Sequence, residues 1–312
     1  MGVLWLKRVI VGIVRAIFTI LPFHIFLAAV ARCPRLDWCT PRNRRMVYEK
    51  YLGDVKVNID TFYRIEAQML TGRYDPVTFG LIGRLVRPGD WCLDIGANVG
   101  AVTFALAKKV GVGGRVFAFE PGGLTFQRLS ANLALNPGLA QVVQPEKLGL
   151  GEKEDVLFWN EDPKVPGNAG FLGARSQQRD GEACRITTVD RFFAQHPPEH
   201  IDFAKIDVEG MELEVIRGGL ETWKRYLPTL YYETLWQFES LRNAPVFLQI
   251  AQILQELGYV IFRVEEGGRI VETTYPNLSP NTLAVHKSRM SQLGVSSKRN
   301  VTPLSGNAVP VG

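Results

Sequence analysis

The stretch from Trp91 to Pro121, WCLDIGANVGAVTFALAKKVGVGGRVFAFEP, constrains the fold more than any other part of the chain. Trp91 to Ile95 is a short apolar run of the kind that forms a buried parallel strand. Gly96 and Gly100 follow at once, and two glycines let the backbone turn sharply and approach a ligand closely. Ala101 to Lys109 has helical composition, and Arg115 to Phe119 is a second apolar run that ends on Glu120. Strand, glycine turn, helix, strand and acid together predict one unit of a parallel α/β sheet with a nucleoside site at the carboxyl ends of its strands.

The residue types narrow the ligand. Glu120 stands 24 residues after Gly96, where a carboxylate at the tip of the neighbouring strand can accept from both hydroxyls of a ribose. A dinucleotide site uses G-x-G-x-x-G to present a helix N-terminus to a pyrophosphate. Here the spacing is G-x-x-x-G, and Asp94 precedes the first glycine by two residues. A carboxylate beside a pyrophosphate is repelled, whereas a cationic ligand with an amino group welcomes it. S-adenosylmethionine (SAM) is such a ligand, with Asp94, Gly96, Asn98, Gly100 and Glu120 as its cradle.

A second cluster of acids follows. Ile201 to Ile206 reads as a strand, which puts Asp207 and Glu209 at its carboxyl end. Gly210 allows a turn into a helix from Glu212 to Arg217. Asp207 or Glu209 is the candidate to take a proton from a reacting hydroxyl. The competing reading is structural, with Glu209 capping the helix and Asp207 paired to Lys205. Residues 229 to 234 form a further strand whose tip carries Glu233, a candidate substrate contact.

These segments have an order. DIGANVG, FAFEP, LSANLALN (129 to 136), LGLGEKEDV (148 to 156), IDFAKIDVEGMELEVIRGG (201 to 219) and LPTLYYE (227 to 233) succeed one another along roughly residues 80 to 235. In this the chain resembles the FkbM family of SAM-dependent methyltransferases. The resemblance implies a Rossmann-like class I α/β fold, with a seven-stranded, mostly parallel sheet and helices on both faces. It also implies methyl transfer, usually to a hydroxyl oxygen, with a sugar, glycolipid or small natural product as acceptor. The polar loop of 23 residues between strands at 156 to 160 and 184 to 188 would lie near the active site, offering Asn168 and Arg175 to the substrate. An NAD-linked oxidoreductase and a membrane-tethered scaffold without turnover are the rivals.

The ends of the chain differ from the middle. Residues 3 to 31 are almost wholly apolar, long enough to span a bilayer but interrupted by Arg15, Pro22 and His24. This segment is read as membrane-associated, either spanning or lying in the interface, with packing on the domain as the plain alternative. The arginines that follow it favour a catalytic part on the cytoplasmic face. The net charge of +5 is concentrated towards the two ends, so a membrane rather than nucleic acid is the expected partner. Residues 32 to 88 read as a basic linker, a hairpin around Gly53 and Asp54, and two helices that could lie across the mouth of the sheet. Arg64, Glu66 and Tyr74 are the polar candidates there, more in keeping with a solvated helix face. The catalytic domain is expected over 89 to 287, and a polar, disordered tail over 288 to 312. Cys33, Cys39, Cys92 and Cys184 show no metal spacing and read as reduced thiols, with no metal site implied.

Overall fold

The computed structural model describes residues 44–161, 169–171, 181–234, 244–265, 268–273 and 281–293, with residues 13 and 29. The apolar segment 3–31, apart from those two positions, and the tail beyond 293 lie outside the described residues. Among the described residues no helix is long and apolar enough to cross a membrane.

The chain begins with a hairpin of β1 (Arg45–Tyr51) and β2 (Val55–Asp60), paired antiparallel as the turn at Gly53 predicts. Two helices follow, α1 (Arg64–Thr71) and α2 (Pro76–Leu85). Asp75 caps α2 by accepting from the Thr78 amide at 3.0 Å, and Pro76 occupies the first turn, where its missing N–H costs nothing. The predicted core unit comes next as β3 (Trp91–Ile95), α3 (Ala101–Val110), β4 (Arg115–Phe119) and α4 (Gly123–Ala134). After a single turn, α5 (Pro137–Ala140), come β5 (Val143–Glu146), β6 (Gly149–Leu150), β7 (Asp155–Glu161), β8 (Ala169–Phe171) and β9 (Glu182–Thr187). The remainder is α6 (Val189–Gln195), β10 (Phe203–Ile206), α7 (Glu212–Arg217), α8 (Leu220–Tyr226), β11 (Thr229–Glu233), α9 (Ala244–Glu256), β12 (Tyr259–Val264), β13 (Ile270–Glu272) and β14 (Asn281–His286), then a short 3₁₀ turn at Lys287–Leu293.

The main sheet has the order β13-β12-β14-β11-β10-β3-β4-β5. From β11 to β5 the strands are parallel, and β14 runs antiparallel between β11 and β12. The described sheet therefore has eight strands rather than the seven expected. The extra one is β13, three residues that bond to the free edge of β12 and are too short to show a period in sequence. The run from Gln141 to Leu150 divides between two sheets. Its first half joins the main sheet as β5, and its second half crosses to a four-stranded sheet, β6-β9-β7-β8. The expected pairing of the strands near 156 and 184 is that of β7 with β9, antiparallel.

Strand alternation builds two cores. Leu93, Ile95, Phe117 and Phe119 face α6 to α9, where Phe192, Phe193 and Trp223 are buried. Cys92, Val116, Ala118 and Phe203 face the other way, against α3, α4, α1 and α2. Tyr51, Val55, Val57 and Ile59 of the hairpin and Met69 and Leu81 of the lead-in helices belong to that same second core. Residues 44 to 88 are thus packed on the sheet rather than strung before it. Asn132 pins the arrangement. Its side-chain oxygen accepts from the Asn58 amide at 2.7 Å, and its NH₂ donates to the Val99 carbonyl at 3.0 Å. One buried amide so ties β2, α4 and the glycine loop together.

Asn132→Ala should lower stability by about 1–3 kcal/mol, because buried backbone groups on two elements lose their partner. Urea unfolding of the variant beside the parent protein measures it, and an unchanged midpoint would remove Asn132 from this role.

Candidate functional site

The parallel strands end on one rim, and a cleft of about 660 Å³ lies along it, open to solvent. The β3–α3 loop supplies Gly96 and Asn98, and the end of β4 supplies Phe119, Glu120 and Pro121. Leu148 to Leu150 and Trp159 form the wall on the side of the small sheet. Asp207, Val208, Glu209 and Met211 line it after β10, and Ile65 and Tyr74 of the lead-in complete it.

The glycine loop is shaped by close approach. The amides of Gly96 and Ala97 both donate to the Phe119 carbonyl, at 3.0 and 2.9 Å. Gly96 has φ +87°, and a Cβ there would overlap the backbone carbonyl of Asp207. Only glycine lets the ends of β3 and β10 come this close. Gly100, at φ +96°, is crowded instead by the side chains of Leu129 and Phe104, so its contacts in the structure are with the core. Asn98 takes the left-handed conformation, φ 50°, that asparagine tolerates, and its side-chain oxygen accepts from the Val99 amide at 2.8 Å.

Glu120 is buried and held on three sides. One oxygen accepts from the Gly122 amide at 2.9 Å and the Thr125 hydroxyl at 2.7 Å, the other from the Asn98 amide at 2.8 Å. A carboxylate has about four acceptor positions, so the second oxygen keeps one for a ligand. Burial pushes the Glu120 carboxyl up, and the three donors work against that rise.

Asp94 lies deeper than a contact residue. It is wholly buried, with one oxygen accepting from the Thr103 hydroxyl at 2.6 Å and the other, Oδ1, without a hydrogen-bond partner. Burial raises its carboxyl, while Lys205 and Thr103 counter that. Lys205 is its register neighbour on β10 and is buried too. The ammonium donates to Asp207 Oδ2 at 2.8 Å. Burial opposes the charge on Lys205, but Asp207 and Asp94 outweigh it and hold its pKa above the ordinary value.

Asp207 is the hub of the acids. Burial opposes its ionisation, and Lys205 together with a hydrogen bond to Glu233 overcomes this and holds its pKa below the usual range. Glu233 is the counterpart. Burial and the Asp207 charge push its carboxyl well up, so the proton of the pair resides on Glu233, which donates to Asp207. Glu233 therefore reaches the cleft through Asp207. Glu209 has φ 55° and Gly210 φ 100°, so the chain makes a strained turn after β10. Loss of solvent around its carboxyl, and then the Asp207 charge, raise Glu209 to about 7. Lys205 and Asp207 are paired as the structural alternative holds, but no side chain caps α7, and the acid that braces the turn before it is Glu212. Its carboxylate accepts from the Val208 amide at 3.1 Å and the Gly210 amide at 3.3 Å, which leaves Glu209 to face the cleft.

Asn168 and Arg175 lie outside the described residues. Glu66, read as part of a solvated helix face, is instead buried and paired with Arg128 of α4, which turns α1 inward. Trp159 went unsignalled because its strand belongs to the small sheet, whose position over the rim no local pattern encodes. Among the described residues no three His, Cys, Asp or Glu side chains are grouped to hold a metal.

Comparison with known proteins gives the family. Residues 94–261, more than half of the chain, match the Methyltransferase FkbM domain. The chain belongs to the FkbM methyltransferase family. The methyltransferase is 29% identical over 199 residues to Methyltransferase sdnD of Sordaria araneosa, covering 55% of this chain and 74% of that one. It is 31% identical over 127 residues to Hexuronic acid methyltransferase AglP of Haloferax volcanii, covering 40% of this chain and 48% of that one. A crystal structure of an FkbM methyltransferase from Methylobacillus flagellatus superposes with a TM-score of 0.42 at 16% identity, over 71% of this chain and 52% of that one. The methyl donor of the family is SAM. The residues present fit it, since Asp94 keeps an unsatisfied acceptor and Glu120 a free one, and the cleft is acid-lined for a cation.

Gly96→Ala should cost about 2–5 kcal/mol, from left-handed strain and forced overlap with the Asp207 carbonyl, and SAM binding should go with it. Gly72→Ala, left-handed at φ +68° but in open space, should cost only about 1 kcal/mol. Chemical unfolding of both variants checks the contrast. Equal losses would mean that crowding at Gly96 is not the constraint.

Proposed function

We propose that the methyltransferase transfers a methyl group to a hydroxyl of a small-molecule or glycan acceptor, with Glu209 taking the proton. The observation that carries this reading is the rim itself, where Asp207, Glu209 and Glu233 meet beside the Gly96 loop. Bound SAM supplies a methyl on a sulfonium, an electrophile that needs little acid catalysis. What the protein must add is position and a place for the hydroxyl proton.

The acids differ in fitness for that task. Asp207 is held ionised by Lys205 and is a weak base, and Glu233 already carries a proton. Glu209, raised to about 7 and lining the cleft, has the proton affinity that suits a general base near neutral pH. Asp207 in this reading orients the acceptor, and its negative charge strengthens the hold of Glu209 on the proton it has taken. Asp94, Gly96, Asn98 and Glu120 hold the cofactor: Glu120 the ribose, and Asp94 the positive charge of the amino-acid end, from beneath. A sugar acceptor is favoured by the relative whose name assigns it a hexuronic acid, at 31% identity.

Methyl-labelled SAM offered with a panel of neutral glycosides, uronic acid glycosides and hydroxylated natural products tests this. Label should appear on a hydroxyl oxygen. Glu209→Gln should slow the transfer about 10²–10⁴-fold, the usual worth of a general base. Glu209 works ionised, so the parent rate should fall about tenfold per unit as pH drops below about 7, and the glutamine variant should lack that limb. Label on nitrogen or carbon, or a variant as fast as the parent, would overturn the assignment.

A further inference from the structure

One wall of the cleft comes from outside the residues matched to the family. Ile65 and Tyr74 belong to the lead-in, and Tyr74 stands in the link between α1 and α2. That link is fixed rather than loose. The Tyr74 ring packs on Phe79 with centroids 6.0 Å apart, and the next residue, Asp75, is the cap of α2. The capped Thr78 is in turn hydrogen-bonded with the hydroxyl of Tyr231 in the sheet, at 3.2 Å.

The ring is thus anchored, yet among the described residues nothing hydrogen-bonds its hydroxyl. Burial raises the phenol pKa above its ordinary value, as do Asp207, Asp75 and Asp94, with Lys205 opposing them. Tyr74 therefore stays protonated, a donor without an acceptor, beside the Asp94–Lys205–Asp207 row.

Ligand chemistry gives the donor a task. The ribose acceptor Glu120 sits at the tip of β4, with Phe119, Pro121, Leu150 and Trp159 around it. An adenosyl ligand seated there has its amino-acid head towards β10. That head is a zwitterion, which wants acceptors for its ammonium and donors for its carboxylate. Asp207 gives the first, with Asp94 behind it. For the second, the described lining offers three side chains that can donate: Asn98, Trp159 and Tyr74. Trp159 is at the far end, its ring nitrogen beside Gly122, and Asn98, whose side-chain oxygen accepts from the Val99 amide while its NH₂ stays free among the described residues, is tied to the ribose end by its backbone amide on Glu120. Tyr74 is left.

We infer that the Tyr74 hydroxyl donates to the carboxylate of the methionine head of SAM, so that the lead-in completes the cofactor site. This rests on the reading of the cleft as an adenosyl site with Glu120 at its ribose end.

The test is calorimetric titration of the full-length parent and Tyr74→Phe with three ligands. SAM and S-adenosylhomocysteine carry the amino-acid head, and 5′-methylthioadenosine lacks it. Phenylalanine keeps the ring on Phe79, and a thermal melt of the variant verifies that the fold is unchanged. The variant should bind the first two about ten- to a hundredfold more weakly, the worth of one hydrogen bond to a charged group. Its affinity for methylthioadenosine should stay within about twofold of the parent's. Equal weakening of all three ligands would make Tyr74 a shaper of the cleft, and no weakening would leave it without a role; either overturns the inference. A parent protein that binds none of the three would overturn the adenosyl reading as well.

Discussion

A lysine buried between two aspartates is the interaction on which the rest of the rim depends. Lys205 lies in the middle of the parallel sheet, between Asp94 on β3 and Asp207 just past its own strand. A lone ammonium there would be too costly to bury, and so would either carboxylate. Held together, the three fix the relative height of β3 and β10, which is the height at which Gly96 meets the Asp207 carbonyl. The glycine and the ion row are two sides of one constraint. The parallel pairing of β3 with β10 sets both, the register of Lys205 beside Asp94 and the carbonyl contact that only glycine permits.

The same row sets the acids apart in proton affinity. Asp207 is stabilised as an anion by Lys205, and its charge then raises Glu233 and Glu209. Neighbouring carboxylates seldom share one ionisation state. Here the ordering is imposed from below the cleft, by a group that no ligand touches. Lys205 keeps Asp207 ionised, while burial and then the Asp207 charge raise Glu209 against the pull of Lys205.

How much of this was legible in the sequence follows from the range of each signal. The glycine loop and Glu120 are local and periodic, and β3, α3, β4 and the tip of β10 came out where the pattern put them. Asp94 stands at the strand end that its spacing indicates but is wholly buried there, because spacing tells which strand end a residue occupies and not its depth. Glu212, rather than the candidate Glu209, accepts from the amides of the turn before α7; two acids three residues apart look alike until the left-handed turn at Glu209 separates them. The eighth strand and the split of the run 141 to 150 were invisible for a different reason. Two- and three-residue strands exist only through their neighbours, and β13 has no identity without the open edge of β12.

The charge of the cleft carries the argument to its ligand. Glu120, Asp207 and Glu209 line it, and among the described lining residues there is no lysine, arginine or histidine. At a cleft only partly open to water, each carboxylate acts on a ligand charge at an effective dielectric well below that of the solvent. A pyrophosphate would be repelled along the whole length, which sets the dinucleotide reading aside on physical grounds as well as by family. A sulfonium is attracted before transfer, and once the methyl has gone the ligand loses that positive charge and with it part of its attraction. The acids that draw the donor in thereby hold the spent cofactor less tightly, so the electrostatics that favour binding also favour turnover.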